Sequence, residues 1–130
     1  MKVYIVRHGE VPHNVLKIYS RDNEDLTEIG RKQAEELRDK IKHIHFDIVI
    51  SSPLLRTMHT AKILTYYTGN IITDDRLIER DCGDLSGKHS RYNNREEYWN
   101  YYTDMKFGTS ENIKDFFKRV YNFLDELKKK

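Results

Sequence analysis

The feature that most limits what this chain can become is its first ten residues, Met-Lys-Val-Tyr-Ile-Val-Arg-His-Gly-Glu. Val3, Tyr4, Ile5 and Val6 form a β-branched and aromatic run, the composition of a buried strand. The run breaks abruptly into Arg7, His8 and Gly9. In open α/β sheets the ligand crevice lies beyond the carboxyl ends of the strands, which is where this cation and this imidazole fall. Gly9 lets the backbone turn sharply there, or lets a ligand approach closely. An isolated Arg-His pair would do no more than end a strand, but three later stretches give it chemistry.

Taken in order, the chain alternates. Val11 to Asp25 is polar and irregular, with Pro12, Asn14, Ser20 and Asn23. Thr27 is placed to cap a helix running to about Lys42, on which Ala34, Leu37 and Ile41 recur near helical spacing. Phe46 to Ile50 reads as a second buried strand, Ser51-Ser52-Pro53 as a turn, and Leu54 to Gly69 as a helix with a glycine C-cap. Ile71 to Thr73 is a third, short strand. Strand, helix, strand, helix, strand implies a three-layer α/β/α fold with a mainly parallel sheet. Asp74 to Gly87 is loop-like. His89 to Phe107 is rich in aromatics, suiting a helix or lid over a site, or equally a helix that lays them on the core. From Ser110, a candidate cap, Ile113, Phe116, Phe117, Val120, Phe123, Leu124 and Leu127 share one face of a last helix. No strand follows Lys130, so the 130 residues are expected to be one domain lacking its C-terminal part.

Composition excludes several classes. A net charge of +2 is too small to argue for nucleic acid or a membrane surface, and no apolar run approaches a membrane span. The single Cys82 allows no intramolecular disulfide, and no signal peptide is recognised, so the cytoplasm is the expected compartment. His43 and His45 have no companion ligands at metal-binding spacing, so neither metal nor cofactor is expected.

Three stretches converge on one rim of the expected sheet: Arg7-His8-Gly9-Glu10, Ser51-Ser52-Pro53-Leu54-Leu55-Arg56-Thr57 and Leu77-Ile78-Glu79-Arg80-Asp81-Cys82-Gly83. Together they supply Arg7, His8, Arg56 and Glu79. A neutral imidazole can attack phosphorus if one ring nitrogen keeps its lone pair and the other donates to a backbone carbonyl. Two guanidinium forks clamp a phosphoryl group and offset the charge growing on its oxygens. Glu79 can protonate an alkoxide leaving group if burial raises its pKa. His59, one turn beyond Arg56, is a candidate to face the pocket. His13 and His89 read as surface histidines, and Cys82 as a small packing residue. Arg80 either contacts substrate or pairs with Asp81 or Asp84.

These blocks, with Leu26-Thr27-Glu28-Ile29-Gly30-Arg31-Lys32-Gln33-Ala34, resemble the histidine phosphatase superfamily, in the branch of the phosphoglycerate mutases and α-ribazole phosphatase. The resemblance implies that His8 is the phosphorylated nucleophile and Glu79 the proton donor. It further implies that Arg7, Arg56 and Asn14 bind phosphate, and that Ser20 is a substrate contact. The family has a second catalytic His after the helix that here ends at Lys130, and no residue of this chain matches it. The strand leading to that His lies between those starting near Val3 and Ile48, so two strand edges are expected to lack partners here. Hydrolysis of small phosphomonoesters through phospho-His8 is the first expectation. Mutase-type transfer, or a catalytically impaired binder of phosphorylated ligands or proteins, is the alternative. A homodimer is one arrangement open to such a chain.

Overall fold

The computed structural model describes all 130 residues. Five α-helices and two strands follow one another along it: α1 (Pro12–Leu16), α2 (Glu28–Ile41), β1 (Val49–Ser51), α3 (Leu55–Leu64), β2 (Ile71–Thr73), α4 (Arg95–Tyr98) and α5 (Ile113–Leu127). The fold is a small parallel sheet with helices packed around it, of the α/β class. β1 and β2 pair in parallel, with Val49 opposite Ile71 and Ser51 opposite Thr73. The crossover between them is α3, which packs on β1 and against α2.

The run Val3 to Val6 does not join this sheet. No backbone group of residues 1–8 makes a backbone hydrogen bond, and Ile5 is 91% exposed. An extended segment becomes a strand only when a neighbour takes its N–H and C=O groups, and the sheet holds β1 and β2 alone. Local propensity favours a strand here but cannot supply a partner. Its one packed ring, Tyr4, meets Phe46 edge-on at 5.4 Å between centroids.

The helices form for reasons close to those in the sequence. Thr27 Oγ1 accepts from Gly30 N at 3.0 Å and caps α2, worth about 1 kcal/mol. α3 stops earlier than expected, at Leu64. Its reversal uses Tyr66 and Tyr67 at φ of 54° and 59°, rather than Gly69, which instead packs against the Thr65 side chain. α5 is capped by Asn112, whose side chain accepts from Lys114 N at 2.8 Å. Ser110, the expected cap, donates to the Cys82 carbonyl at 2.7 Å instead. Within Val11 to Asp25, read as irregular, Pro12 opens the short helix α1, a position where its missing N–H costs nothing.

Two separate cores hold the elements. Val11, Leu26, Ala34 and Ile63 fill the space between α2 and α3. Tyr19, Cys82, Leu85, Tyr98 and Phe107 form the second, in the loop-rich half. Of the aromatics in stretch 89–107, Tyr98 joins this core at 1% exposure, with Tyr19 and Phe107 edge-on at 5.3 Å each, while Tyr92, Trp99, Tyr101 and Tyr102 are exposed. No helix is long and apolar enough to cross a membrane.

Gly9 and Gly30 lock these parts together. A Cβ on Gly30 would lie 2.2 Å from the Glu10 carbonyl oxygen, and one on Gly9 would lie 2.3 Å from that of Gly30. Neither glycine has a positive φ, so close backbone approach is the reason for both, rather than the sharp turn or ligand contact expected of Gly9. Gly30→Ala should lower stability by about 1–3 kcal/mol, read as a fall in the urea midpoint at unchanged slope. A midpoint equal to that of the unsubstituted protein would show that the two backbones can separate freely.

Candidate phosphoryl site

The loop after the N-terminal segment is bolted to both long helices of the first core. The Glu10 carbonyl accepts from Thr27 N at 2.9 Å and Glu10 N donates to Gln33 Oε1 at 2.9 Å, tying it to α2. Gly9 N donates to Thr60 Oγ1 at 3.2 Å, and that hydroxyl donates to the Arg56 carbonyl at 2.8 Å, tying it to α3. His8 and the helix that carries Arg56 are thus held in one frame.

A cavity of about 640 Å³ opens beside this loop. Of the candidate residues it takes in Arg7, His8, Asn14, Ser20, Glu79 and Arg80. Its charged lining is mostly cationic, with Arg7, Lys17, Arg80 and Arg95 against Glu10 and Glu79. Arg7 is exposed and makes no ion pair or hydrogen bond within the protein, so its five donors are free for a ligand.

His8 has the geometry that a nucleophilic imidazole needs. Its Nδ1 lies 2.7 Å from the Gly9 carbonyl oxygen, an acceptor only, so Nδ1 holds the proton and Nε2 keeps its lone pair in the neutral ring. Burial, helped by the Arg56 and Arg7 charges, pushes the His8 pKa down against the opposing Gly9 hydrogen bond and the Glu79 charge. Both effects favour the neutral imidazole that nucleophilic attack needs.

Arg56 is 1% exposed and stands behind the cavity rather than on its lining. Nη1 donates to the Arg21 carbonyl and Nη2 to Glu79 Oε2, both at 2.9 Å, while Nε is buried without a partner. The expected free fork is therefore largely spent on the protein, and it fixes Glu79 in place. Glu79 is not buried: its side chain is 42% exposed and is held on Arg56. Loop 78–80 carries Glu79 to the cavity surface, where one carboxylate oxygen faces Arg56.

The remaining candidates divide. Asn14 Oδ1 accepts from Val11 N at 3.1 Å, leaving its amide donors for the cavity. Ser20 Oγ lies 3.6 Å from Cys82 Sγ. Arg80 pairs with neither Asp81 nor Asp84. Its Nε donates to the Glu111 carbonyl at 2.8 Å, its Nη1 to that of Tyr98, and its guanidinium sits 3.9 Å from the Tyr98 ring centroid. His59 is outside the cavity: α3 turns it toward the start of α2, where Nδ1 meets Asp25 Oδ1 at 2.6 Å. Cys82 is a packing residue, its thiol pKa pushed up by burial. His89 is exposed, as expected.

His13 is the residue that sequence reasoning missed. Far from being solvated, it is 7% exposed, lines the cavity, and pairs through Nδ1 with Glu24. The available signal was Pro12, which opens the helical turn on which His13 is the buried residue. Lys17 also reaches the cavity, where α1 ends in a left-handed residue at φ 54°. No group of three or more His, Cys, Asp or Glu is arranged to hold a metal ion.

Comparison with known proteins gives one consistent picture. Residues 3–130 match the model of the histidine phosphatase superfamily (branch 1). Over 102 residues the chain is 37% identical to "Probable phosphoglycerate mutase GpmB" of Proteus mirabilis, covering 76% of this chain and 47% of that protein. It is 32% identical to phosphoserine phosphatase 1 of Hydrogenobacter thermophilus, covering 100% of this chain and 65% of the relative. The chain thus spans about half to two thirds of the length of these relatives. In structure it matches the α-ribazole phosphatase of Shigella flexneri with a TM-score of 0.83 at 29% identity, over 95% of this chain and 65% of that one. A mycobacterial glucosyl-3-phosphoglycerate phosphatase, solved with VO3, matches with a TM-score of 0.78 at 25% identity, over 92% and 63%.

By NMR, His8 should titrate below the ordinary imidazole value of 6.5. Arg7→Gln, which removes one of the cations that lower it, should move the midpoint upward. A midpoint above 6.5 would mean that the ring is not desolvated as its position requires.

Proposed function

Since the chain belongs to the histidine phosphatase superfamily (branch 1), we propose that it transfers the phosphoryl group of small phosphomonoesters to His8 and then to water. The observation that carries this reading is the single bonded nitrogen of His8. With Nδ1 held by Gly9, Nε2 is free, and the ring is biased toward neutrality beside a cationic cavity.

In the first step Nε2 attacks phosphorus, the P–N bond forms, and the P–O bond to the leaving alkoxide breaks. Glu79, as the acid, gives that oxygen its proton. In the second step a water oxygen attacks phosphorus, the P–N bond breaks, and the Glu79 carboxylate takes the proton of the water. Phosphate leaves and the starting state returns. Arg7, together with the amide of Asn14, neutralises and orients the transferred group, the kind of positioning that supplies most of the rate gain in such reactions. Arg56 acts through its bond to Glu79 and through its field at His8. Ser20 and Arg80 bound the space left for the rest of the substrate.

The second reading is mutase-type transfer, favoured by the identity to proteins named as phosphoglycerate mutases. It shares the first step and differs only in the acceptor, a substrate hydroxyl in place of water. Water is preferred because exposed Arg7, Lys17 and Arg95 leave the cavity rim open to solvent.

Rapid acid-free quenching with a ³²P-labelled aryl phosphate should trap an acid-labile, base-stable phosphoenzyme. His8→Ala should remove it and cut hydrolysis by ~10³-fold or more. Turnover that survives this substitution would exclude His8 as the nucleophile. Folded protein stabilised by phosphate, yet giving neither turnover nor phosphoenzyme, would leave a phospho-ligand binder in place of an enzyme.

A further inference from the structure

The cavity holds a second imidazole for which the steps above have no use. His13 lies beside His8, with 6.3 Å between ring centroids, and both line the same space. Its side chain is 8% exposed and its partner Glu24 is 9% exposed. Burying a His–carboxylate pair to this degree costs desolvation of both groups, and a packed apolar pair of similar volume would fill the space more cheaply. The pair is also incompletely satisfied, for Glu24 Oε1 is buried without a hydrogen-bond partner and has only Arg21, at 3.8 Å, as a nearby cation. A strut between α1 and the loop 21–25 would not need to line a cavity.

The two rings are held alike. His8 is fixed through Nδ1 by a carbonyl, and His13 is fixed through Nδ1 by a carboxylate. In each case the nitrogen left for a ligand is Nε2. The phosphoryl group on His8 would therefore sit next to a second, pre-oriented ring. A ring locked at one nitrogen loses little further rotamer entropy when the other makes a hydrogen bond, which suits it to fixing an anion.

We propose that His13 contacts the phosphoryl group, its Nε2 hydrogen-bonding an oxygen of the phosphate held beside His8, with Glu24 as the positioning residue. Glu24 acts through His13 alone: it holds the ring plane and keeps Nδ1 as the donor toward itself, so that only Nε2 meets the ligand. The contact rests on the phosphoryl-site reading but needs no turnover, since inorganic phosphate alone can report it.

Two isosteric substitutions separate this role from a structural one. The amide nitrogen of His13→Asn falls near the position of Nδ1 and can still reach Glu24, but nothing replaces Nε2. The amide nitrogen of His13→Gln falls near Nε2 and gives up the bond to Glu24. Binding of inorganic phosphate, followed by calorimetry, should weaken about tenfold in His13→Asn and recover most of that loss in His13→Gln. Thermal stability should follow the opposite order, with His13→Gln the less stable. In the unsubstituted protein the ¹⁵N resonance of His13 Nε2 should shift on adding phosphate. Phosphate affinity in His13→Asn within twofold of the unsubstituted protein, or an unmoved Nε2 resonance, would overturn the proposal. A failure of the phosphoenzyme experiment with this pattern intact would strike the reaction and leave the His13 contact standing.

Discussion

The contact between the backbones of Gly9 and Gly30 sets where the N-terminal segment meets α2, and the placing of His8 follows from it. Two chains can come this close only where neither carries a Cβ. Once they touch, the Glu10 carbonyl reaches Thr27 N and Gly9 N reaches Thr60, so α2 and α3 clasp the adjacent pair Gly9 and Glu10. Thr60 passes the constraint to the carbonyl of Arg56 on its own helix. The loop beside His8 is thus fixed largely through its own backbone N–H and C=O groups.

Electrostatics then divides the arginines by burial. Arg7 is exposed and unpaired, ready for a ligand, whereas Arg56 spends two of its nitrogens on the Arg21 carbonyl and Glu79. Removing a buried cation from such a pair leaves a carboxylate with its partner gone, so Arg56 belongs to the architecture as much as to the chemistry. Both guanidiniums disfavour a charged His8, and burial acts in the same direction. The cavity therefore presents positive charge to an anion while biasing the His8 ring toward its neutral form. His13 adds a second oriented ring to that space, which Lys17 and Arg95 also line with positive charge.

What could be read in the sequence was whatever depends on near neighbours. Thr27 caps α2 because its hydroxyl needs only Gly30 N, three residues on. The tautomer of His8 is set by a backbone carbonyl, as the chemistry of the residue led one to expect, and the structure supplies that of Gly9, the next residue. Elsewhere the deciding partner was distant. Asn112 took the cap of α5 because the hydroxyl of Ser110 was drawn to Cys82, 28 positions away. Arg80 found carbonyls of α4 and of the loop before α5 in place of the aspartates beside it. His59 sat one turn from Arg56 as periodicity required, yet Asp25 turned it away from the cavity.

By itself the sequence determined the chemical inventory, the helix-forming and strand-forming stretches, and the family, because residue types and short-range spacing are properties of the chain alone. Only the tertiary structure decided that Val3 to Val6 stays unpaired, that His13 is buried against Glu24, and that Glu79 stands at the cavity surface on Arg56. Each of these turns on a partner far away in sequence, supplied or withheld. A backbone ladder, a buried ion pair and a desolvated ring have no energy until the groups that make them are brought together.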